Sequence, residues 1–242
     1  MGIRAVLFDL DGTLLPMDQD EFTRGYFGLL TAKMAPRGYD AKRLIDAVWA
    51  GTAAMVKNDG SRSNEAVFWQ RFVQLFGEGA MADLPEFDEF YGREFQQARA
   101  FCGFNPQAAE TVRAIKGAGC RVVLATNPIF PAVGTETRIR WVGLEPSDFE
   151  WYTTYENSRY CKPNLNYYRD ILARLDCPPE ECLMVGNDVE EDMVAGELGM
   201  KVFLITDCLI NREGKDVAAY PHGGFTQLLE FWSREMGIQE GA

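Results

Sequence analysis

Short apolar runs of strand length open the chain and return after residue 105, while the stretch between them carries helical spacing. Arg4 to Phe8 is continuous and apolar apart from its first residue, the pattern of a strand buried on both faces. From about Asp18 to Phe101 the period changes: Phe22, Tyr26, Leu29/Leu30 and Met34 recur at helical intervals, as do Leu44, Val48 and Met55. Ser63 reads as an N-cap for a helix from Glu65 to Phe76 that Gly77 stops. Pro85 opens a further helix, expected to run through Phe95 toward Ala100. Beyond that point strands and helices alternate. Asn105-Pro106 caps a helix with the apolar stripe Ala109, Val112 and Ile115, followed by a strand at Arg121 to Ala125. A helix from Ala132 to Val142, a strand near Trp151 to Tyr155 and a helix from Leu165 to Leu175 follow. The pattern then predicts a strand at Leu183 to Val185, a helix from Glu190 to Leu198, a strand at Val202 to Ile205, and a last helix capped by Thr226.

Strands separated by helices imply right-handed crossovers and a mainly parallel sheet, the α/β class. The first strand precedes the helical block and its partners follow it, so the block is an insertion. The expected division is a core of residues 1–16 and 103–242 with a helical domain of residues 17–102, joined by linkers near Pro16 and Gly103. In such a sheet ligands sit outside the carboxyl ends of the strands.

Composition narrows the choice of partner. The 242 residues are 47% hydrophobic, enough for a sizeable core, and carry a formal net charge of -12. That charge repels nucleic acid, yet leaves anionic small molecules open, since a bound divalent cation would invert the local sign. Six scattered cysteines without CxxC spacing read as reduced thiols of a cytoplasmic protein. The single histidine, His222, disfavours a histidine-rich zinc site or a His-centred triad. No run is long and apolar enough for a membrane span.

The chemistry sits at strand ends. Asp9 and Asp11, in Phe8-Asp9-Leu10-Asp11-Gly12-Thr13, place two carboxylates one residue apart at the mouth of the first strand. Such acids can hold a hard cation, and one of them can attack an electrophile.

This run resembles the first signature of the haloacid dehalogenase-like hydrolases, a superfamily made up mostly of magnesium-dependent phosphatases. Val122-Val123-Leu124-Ala125-Thr126-Asn127 is similar to the second signature, Lys162-Pro163 with Tyr167/Tyr168 to the third, and Leu183-Met184-Val185-Gly186-Asn187-Asp188 with Asp192 to the fourth. The resemblance spans about Ile3 to Ile205 and implies a doubly wound, Rossmann-like sheet with a smaller all-helical cap. It implies that Asp9 is the nucleophile and Asp11 the general acid and base, with Thr126 and Asn127 holding phosphoryl oxygens and Lys162 neutralising charge. It also implies Mg2+ on Asp9, the Asp11 carbonyl and an acid of the fourth signature. Many members have Asp directly after the glycine, where this chain has Asn187. At least one of Asn187 and Asp188 is therefore expected to contact the metal, with Asp188 the leading candidate and Asp192 behind it, orienting the ligands or pairing with Lys162.

The function so implied is hydrolysis of a small phosphorylated metabolite by a monomer or homodimer. Asp11 argues against a dehalogenase, which lacks that acid. A phosphonatase would need a lysine from the insertion, for which Lys33, Lys42 and Lys57 are available, and a phosphomutase would share the same core. The polar run Asn58 to Ser63 offers Arg62 as a substrate contact.

Overall fold

Four apolar residues with no polar interruption form the central strand, β1 (Ala5–Phe8), in the computed structural model, which describes residues 2–237. Their side chains alternate between the two faces of the sheet. Val6 and Phe8 join one core cluster, Ala5 and Leu7 the other, and all four are fully buried. The first face is covered by α5 (Pro106–Gly117) and α8 (Phe225–Glu235), the second by α7 (Leu165–Leu175). The remaining strands are β2 (Arg121–Leu124), β3 (Trp151–Tyr152), β4 (Cys182–Gly186), β5 (Lys201–Ile205) and β6 (His222–Gly223). Their order is β3-β2-β1-β4-β5-β6 and every pairing is parallel, the doubly wound arrangement expected.

Helices α1 (Gln19–Met34), α2 (Ala41–Val56), α3 (Asn64–Phe76) and α4 (Leu84–Gly92) lie between β1 and α5. Asp18, Asp40 and Ser63 cap the first three through side-chain oxygens. The segment leaves and re-enters at one place: Met17 bridges Cys102 antiparallel, and the Gly103 N–H donates to the Pro16 carbonyl at 2.6 Å. Its aromatic interior reaches the sheet-side helix α6 (Ala132–Trp141), where Phe95 stacks on Trp141 with centroids 5.2 Å apart.

Several expectations need correction. The helix from Pro85 does not reach Ala100: α4 ends at Gly92, Arg93 takes non-helical angles, and Glu94–Phe101 continues as a 3-10 helix. Gly92 supplies the weak point, since glycine disfavours helix interiors. The expected Glu190 to Leu198 helix is a turn followed by a 3-10 helix, Met193–Leu198. Here the Asp188 carboxylate takes the Glu190 and Glu191 N–H groups, giving the backbone a local alternative to a helix. Gly224, not Thr226, is the N-cap of α8. The third strand covers only Trp151–Tyr152, and β6, His222–Gly223, lies outside the strands that the apolar pattern predicts. All six cysteines are free, four of them buried. No helix among the described residues is long and apolar enough to cross a membrane.

The start of α3 anchors the helical segment to the sheet. Asn64 is fully buried; its amide donates to the Pro128 carbonyl at 3.2 Å, its oxygen accepts from Asn58 at 2.9 Å, and its backbone N–H donates to Ser158 at 2.8 Å. Asn64→Ala is expected to cost about 1–3 kcal/mol by stranding those partners. Urea unfolding checks it, with a lower midpoint at unchanged slope as the expected result.

Candidate active site

Because β1 lies between β2 and β4, three strand ends open onto one spot. The Asp9 N–H donates to the Val185 carbonyl at 2.9 Å, and the Ala125 N–H to the Phe8 carbonyl at 2.7 Å. Asp9, Thr126 and Asn187 are thereby set side by side along the carboxyl edge of the sheet, where the strand order reverses. The loop after β1 closes on itself, with the Leu15 N–H donating to Leu10 and the Gly12 N–H to Leu15, each at 2.8 Å. Gly12 has φ of +85°, and a Cβ there would run into the Asn187 amide. The Thr13 hydroxyl sits 2.9 Å from both Asp9 Oδ2 and Asn187 Oδ1. Having one proton, it serves one of the two at a time.

Lys162, from the loop before α7, is almost completely buried. Its Nζ donates to Asp9 Oδ1 at 2.9 Å and to Asp192 Oδ1 at 2.6 Å. Burial works against the charge, but Asp192 and Asp9 outweigh it and hold the ammonium well above its ordinary range. Asp192 is close enough to β4 that a side chain at Gly186 would overlap it. Behind the second strand end, the Thr126 carbonyl accepts from the Thr153 hydroxyl at 2.6 Å and from the Tyr167 hydroxyl at 2.9 Å. Tyr168 donates to the Glu191 carbonyl at 2.7 Å. The Asn127 amide donates to Glu191 at 2.9 Å, which steadies the two loops against each other.

Asp11 has a different environment from Asp9. It is ion-paired with Arg138 of α6, a fully buried guanidinium that also lies over the Phe130 ring, 4.1 Å from its centroid. Burial raises the Asp11 carboxyl above the usual carboxylate range, against the opposing pull of Arg138. Asp188 turns another way: its Oδ2 accepts from Arg212 at 2.6 Å, and its Oδ1 from two backbone N–H groups. The loop after β5 completes this edge, since the Asn187 amide donates to the Cys208 carbonyl at 2.6 Å.

A cavity of about 390 Å³ opens from these residues toward the helical segment. Asp9, Asp11, Thr126, Asn127, Asn187 and Asp188 all line it, with Lys162 behind Asp9. Arg62 is not brought there, which corrects the expectation that it touches substrate. Asn58 holds the turn by donating to the Arg62 carbonyl, and the Arg62 side chain lies exposed on Gln70 at 2.9 Å. Lys33, Lys42 and Lys57 also lie outside the lining; Lys33 is tied to Glu89 at 2.6 Å. Sequence reasoning missed Arg138 and Arg212, each of which looks like an ordinary surface arginine until tertiary packing is known.

A profile of haloacid dehalogenase-like hydrolases matches residues 3–198. The chain belongs to that family. Among its relatives, the ribulose-1,5-bisphosphate 5-phosphatase of Halopiger xanaduensis is 26% identical over 209 residues, 83% of each chain. The glyceraldehyde 3-phosphate phosphatase of Methanothermobacter thermautotrophicus is 23% identical over 217 residues, 87% of this chain and 89% of its own. In fold, the chain is similar to the 2-haloacid dehalogenase of Pseudomonas syringae pv. Tomato DC3000, with TM-score 0.63, 20% identity, and coverage of 96% and 99%. Phosphatases and dehalogenases of the haloacid dehalogenase-like family thus share this scaffold, and the strand-end side chains must decide the chemistry.

The donor set fits the magnesium that phosphatases of the family use. Asp9, Asp11, Asn187 and Asp188 present oxygen to one cavity, and no histidine or cysteine lines it. Asp11 Oδ1 is buried with no hydrogen-bond partner among the described residues. Nor do three or more His, Cys, Asp or Glu side chains there form a ready-made cage. Magnesium asks for no such cage, since it takes one or two carboxylates and fills its octahedron with water and substrate phosphate.

Arg138 touches Asp11 rather than the cavity, so it acts as a positioning residue. Arg138→Met is expected to lower kcat for hydrolysis by roughly 10²-fold through misplacement of Asp11, with KM little changed and partial recovery in Arg138→Lys. Steady-state kinetics on all three proteins, beside their unfolding curves, separates this from a loss of folded enzyme.

Proposed function

We propose that this hydrolase is a magnesium-dependent phosphomonoesterase acting on a small phosphorylated metabolite through an aspartyl-phosphate. The observation that carries the reading is the contrast between two neighbouring carboxylates: Asp9 rests on the Lys162 ammonium, whereas Asp11 pairs with Arg138 at the other flank and is raised by desolvation. Two neighbouring acids held in such different surroundings suit one member to attack and the other to proton transfer.

Asp9 attacks phosphorus as the bond to the leaving oxygen breaks, and Asp11 gives that oxygen its proton. In the second half, Asp11 takes a proton from water as the water oxygen bonds to phosphorus, and cleavage of the acyl-phosphate returns free phosphate and Asp9. The Thr126 hydroxyl and the Asn127 N–H bind phosphoryl oxygens, and Lys162 offsets the charge gathered around them. Magnesium, when bound, would neutralise phosphoryl charge, with Asp9, the Asp11 carbonyl and Asn187 or Asp188 as its protein ligands. Thr13, shared between Asp9 and Asn187, favours Asn187 over Asp188 in that last place. The helical segment of residues 17–102 acts as a cap that shields the acyl-phosphate from bulk water.

Asp9→Asn is expected to abolish phosphate release while leaving the urea midpoint close to that of the parent protein. Turnover within tenfold of the parent would sink the covalent mechanism. Chelation should remove activity and magnesium restore it. Magnesium titration of Asn187→Ala against Asp188→Ala identifies the ligand as the site with the greater loss of affinity. Isomerised sugar phosphate in place of free phosphate would move the assignment to a mutase.

A further inference from the structure

If Asp9 attacks phosphorus, as proposed above, the rest of the cavity holds the alcohol half of the ester. We infer that this alcohol is apolar, so that the substrate is the phosphate monoester of an aromatic or aliphatic hydrocarbon-like alcohol with no second anionic group.

Three observations carry the inference. The first is the wall itself. Away from the strand ends the cavity is bounded by Tyr26, Phe27 and Leu30 of α1, Trp49 of α2, and Phe68 and Trp69 of α3. Its volume of about 390 Å³ lies in the roughly 300–1,000 Å³ range of sites that enclose small organic molecules.

The second is how the polar tips of that wall are used. Tyr26 and Tyr91 hydroxyls bond each other at 2.9 Å, and Trp69 Nε1 donates to the Tyr155 hydroxyl at 3.4 Å. These four polar tips are turned onto one another, leaving ring carbon as the main surface of the wall. Burial also pushes Tyr26 up to about 12, so it remains a neutral phenol. Gln19, Thr23 and Thr52 are the neutral polar side chains left on that side, too few for every hydroxyl of an enclosed polyol.

The third is charge. Among the described lining residues Arg212 is the only cation, and it is bound to Asp188 at the sheet end. Asp88, on the helical side, would repel a second phosphate or a carboxylate. On the helical side α2 also lines the cleft with Trp49 and Val56, 51% and 45% exposed. Half-exposed apolar side chains lining an apolar cleft mark a surface that a ligand covers. The inference departs from the polar substrates for which the two phosphatase relatives are named.

The test is a panel with magnesium present. It compares 2-naphthyl phosphate and geranyl monophosphate with glycerol 3-phosphate, glucose 6-phosphate and ribulose 1,5-bisphosphate, reading phosphate release. An apolar ester is expected to exceed every polyol ester in kcat/KM by about 10²-fold or more, and the naphthyl and geranyl arms decide between an aromatic and an aliphatic occupant. A polyol phosphate or the bisphosphate matching the better apolar ester would overturn the inference and leave the phosphatase reading intact. Release of phosphate from none of them would count against that reading instead. The binding arm then decides the inference alone: Asp9→Asn protein is titrated with naphthylmethyl- and geranyl-phosphonate against a glycerol-type phosphonate, read by calorimetry and by fluorescence of Trp49 and Trp69. Apolar phosphonates are expected to bind at least tenfold tighter; equal affinity would overturn the inference. Trp49→Arg, at a half-exposed position and checked for an unchanged urea midpoint, should lower kcat/KM for the apolar esters and raise it for the bisphosphate.

Discussion

One buried ammonium holds the site together. Lys162 lies between Asp9 and Asp192, so three segments far apart in sequence meet on a single positive charge. Without it, two carboxylates would share a space nearly closed to water, where repulsion is poorly screened and each charge has lost its hydration. A lysine suits the place because its charge is compact and can be shared between two oxygens at different angles, whereas a planar guanidinium is best matched to one carboxylate. The position of Asp9, the turn after β4 and the loop before α7 are therefore one constraint expressed three times.

Around that charge the protein spends neutral hydrogen bonds on keeping backbone in place. Thr153 and Tyr167 converge on the Thr126 carbonyl, and Tyr168 reaches the Glu191 carbonyl. None of these hydroxyls is proposed to touch phosphate, yet they fix the loops whose side chains and N–H groups would. Arg138 belongs to the same economy on the opposite flank. A fully buried guanidinium is expensive to desolvate, and here it is offset by Asp11 and by the face of Phe130. The result is a floor of strand ends in which the two neighbouring acids rest on different cations.

Much of this was legible in the sequence because it depends on local pattern. A buried parallel strand needs a continuous apolar run, and an acid just beyond it must fall at the carboxyl edge, so β1, β2 and β4 placed Asp9, Thr126 and Asn187. Helix α7 begins and ends where its apolar spacing does, and Asn105 and Ser63 cap as their residue types suggest. What stayed hidden depends on partners distant in the chain. Arg138 is one polar residue in a helix whose neighbours are buried on several sides, and nothing local tells which way it turns. The Glu190 to Leu198 stretch has helical composition, but the Asp188 side chain takes its first N–H groups, and Asp192 turns back onto the Asp188 N–H. Arg62 is cationic, but it does not line the cavity: Asn58 holds its carbonyl and its guanidinium rests on Gln70.

The neck between Pro16–Met17 and Cys102–Gly103 has a consequence for how such a chain can diversify. Its two strands of backbone are already tied by a bridge and a 2.6 Å hydrogen bond, so everything between them is, for the sheet, a loop with closed ends. The entropy of closing a loop grows only logarithmically, about 0.6 kcal/mol for each doubling of its length. Changes of length in that interval thus cost the sheet little closure entropy, provided the contacts of Asn64 and Phe95 with the sheet side are kept. Mutation can resculpt the chamber above Asp9 at little risk to the bed of strands that holds the reacting groups, a separation that lets new selectivities arise faster than new folds.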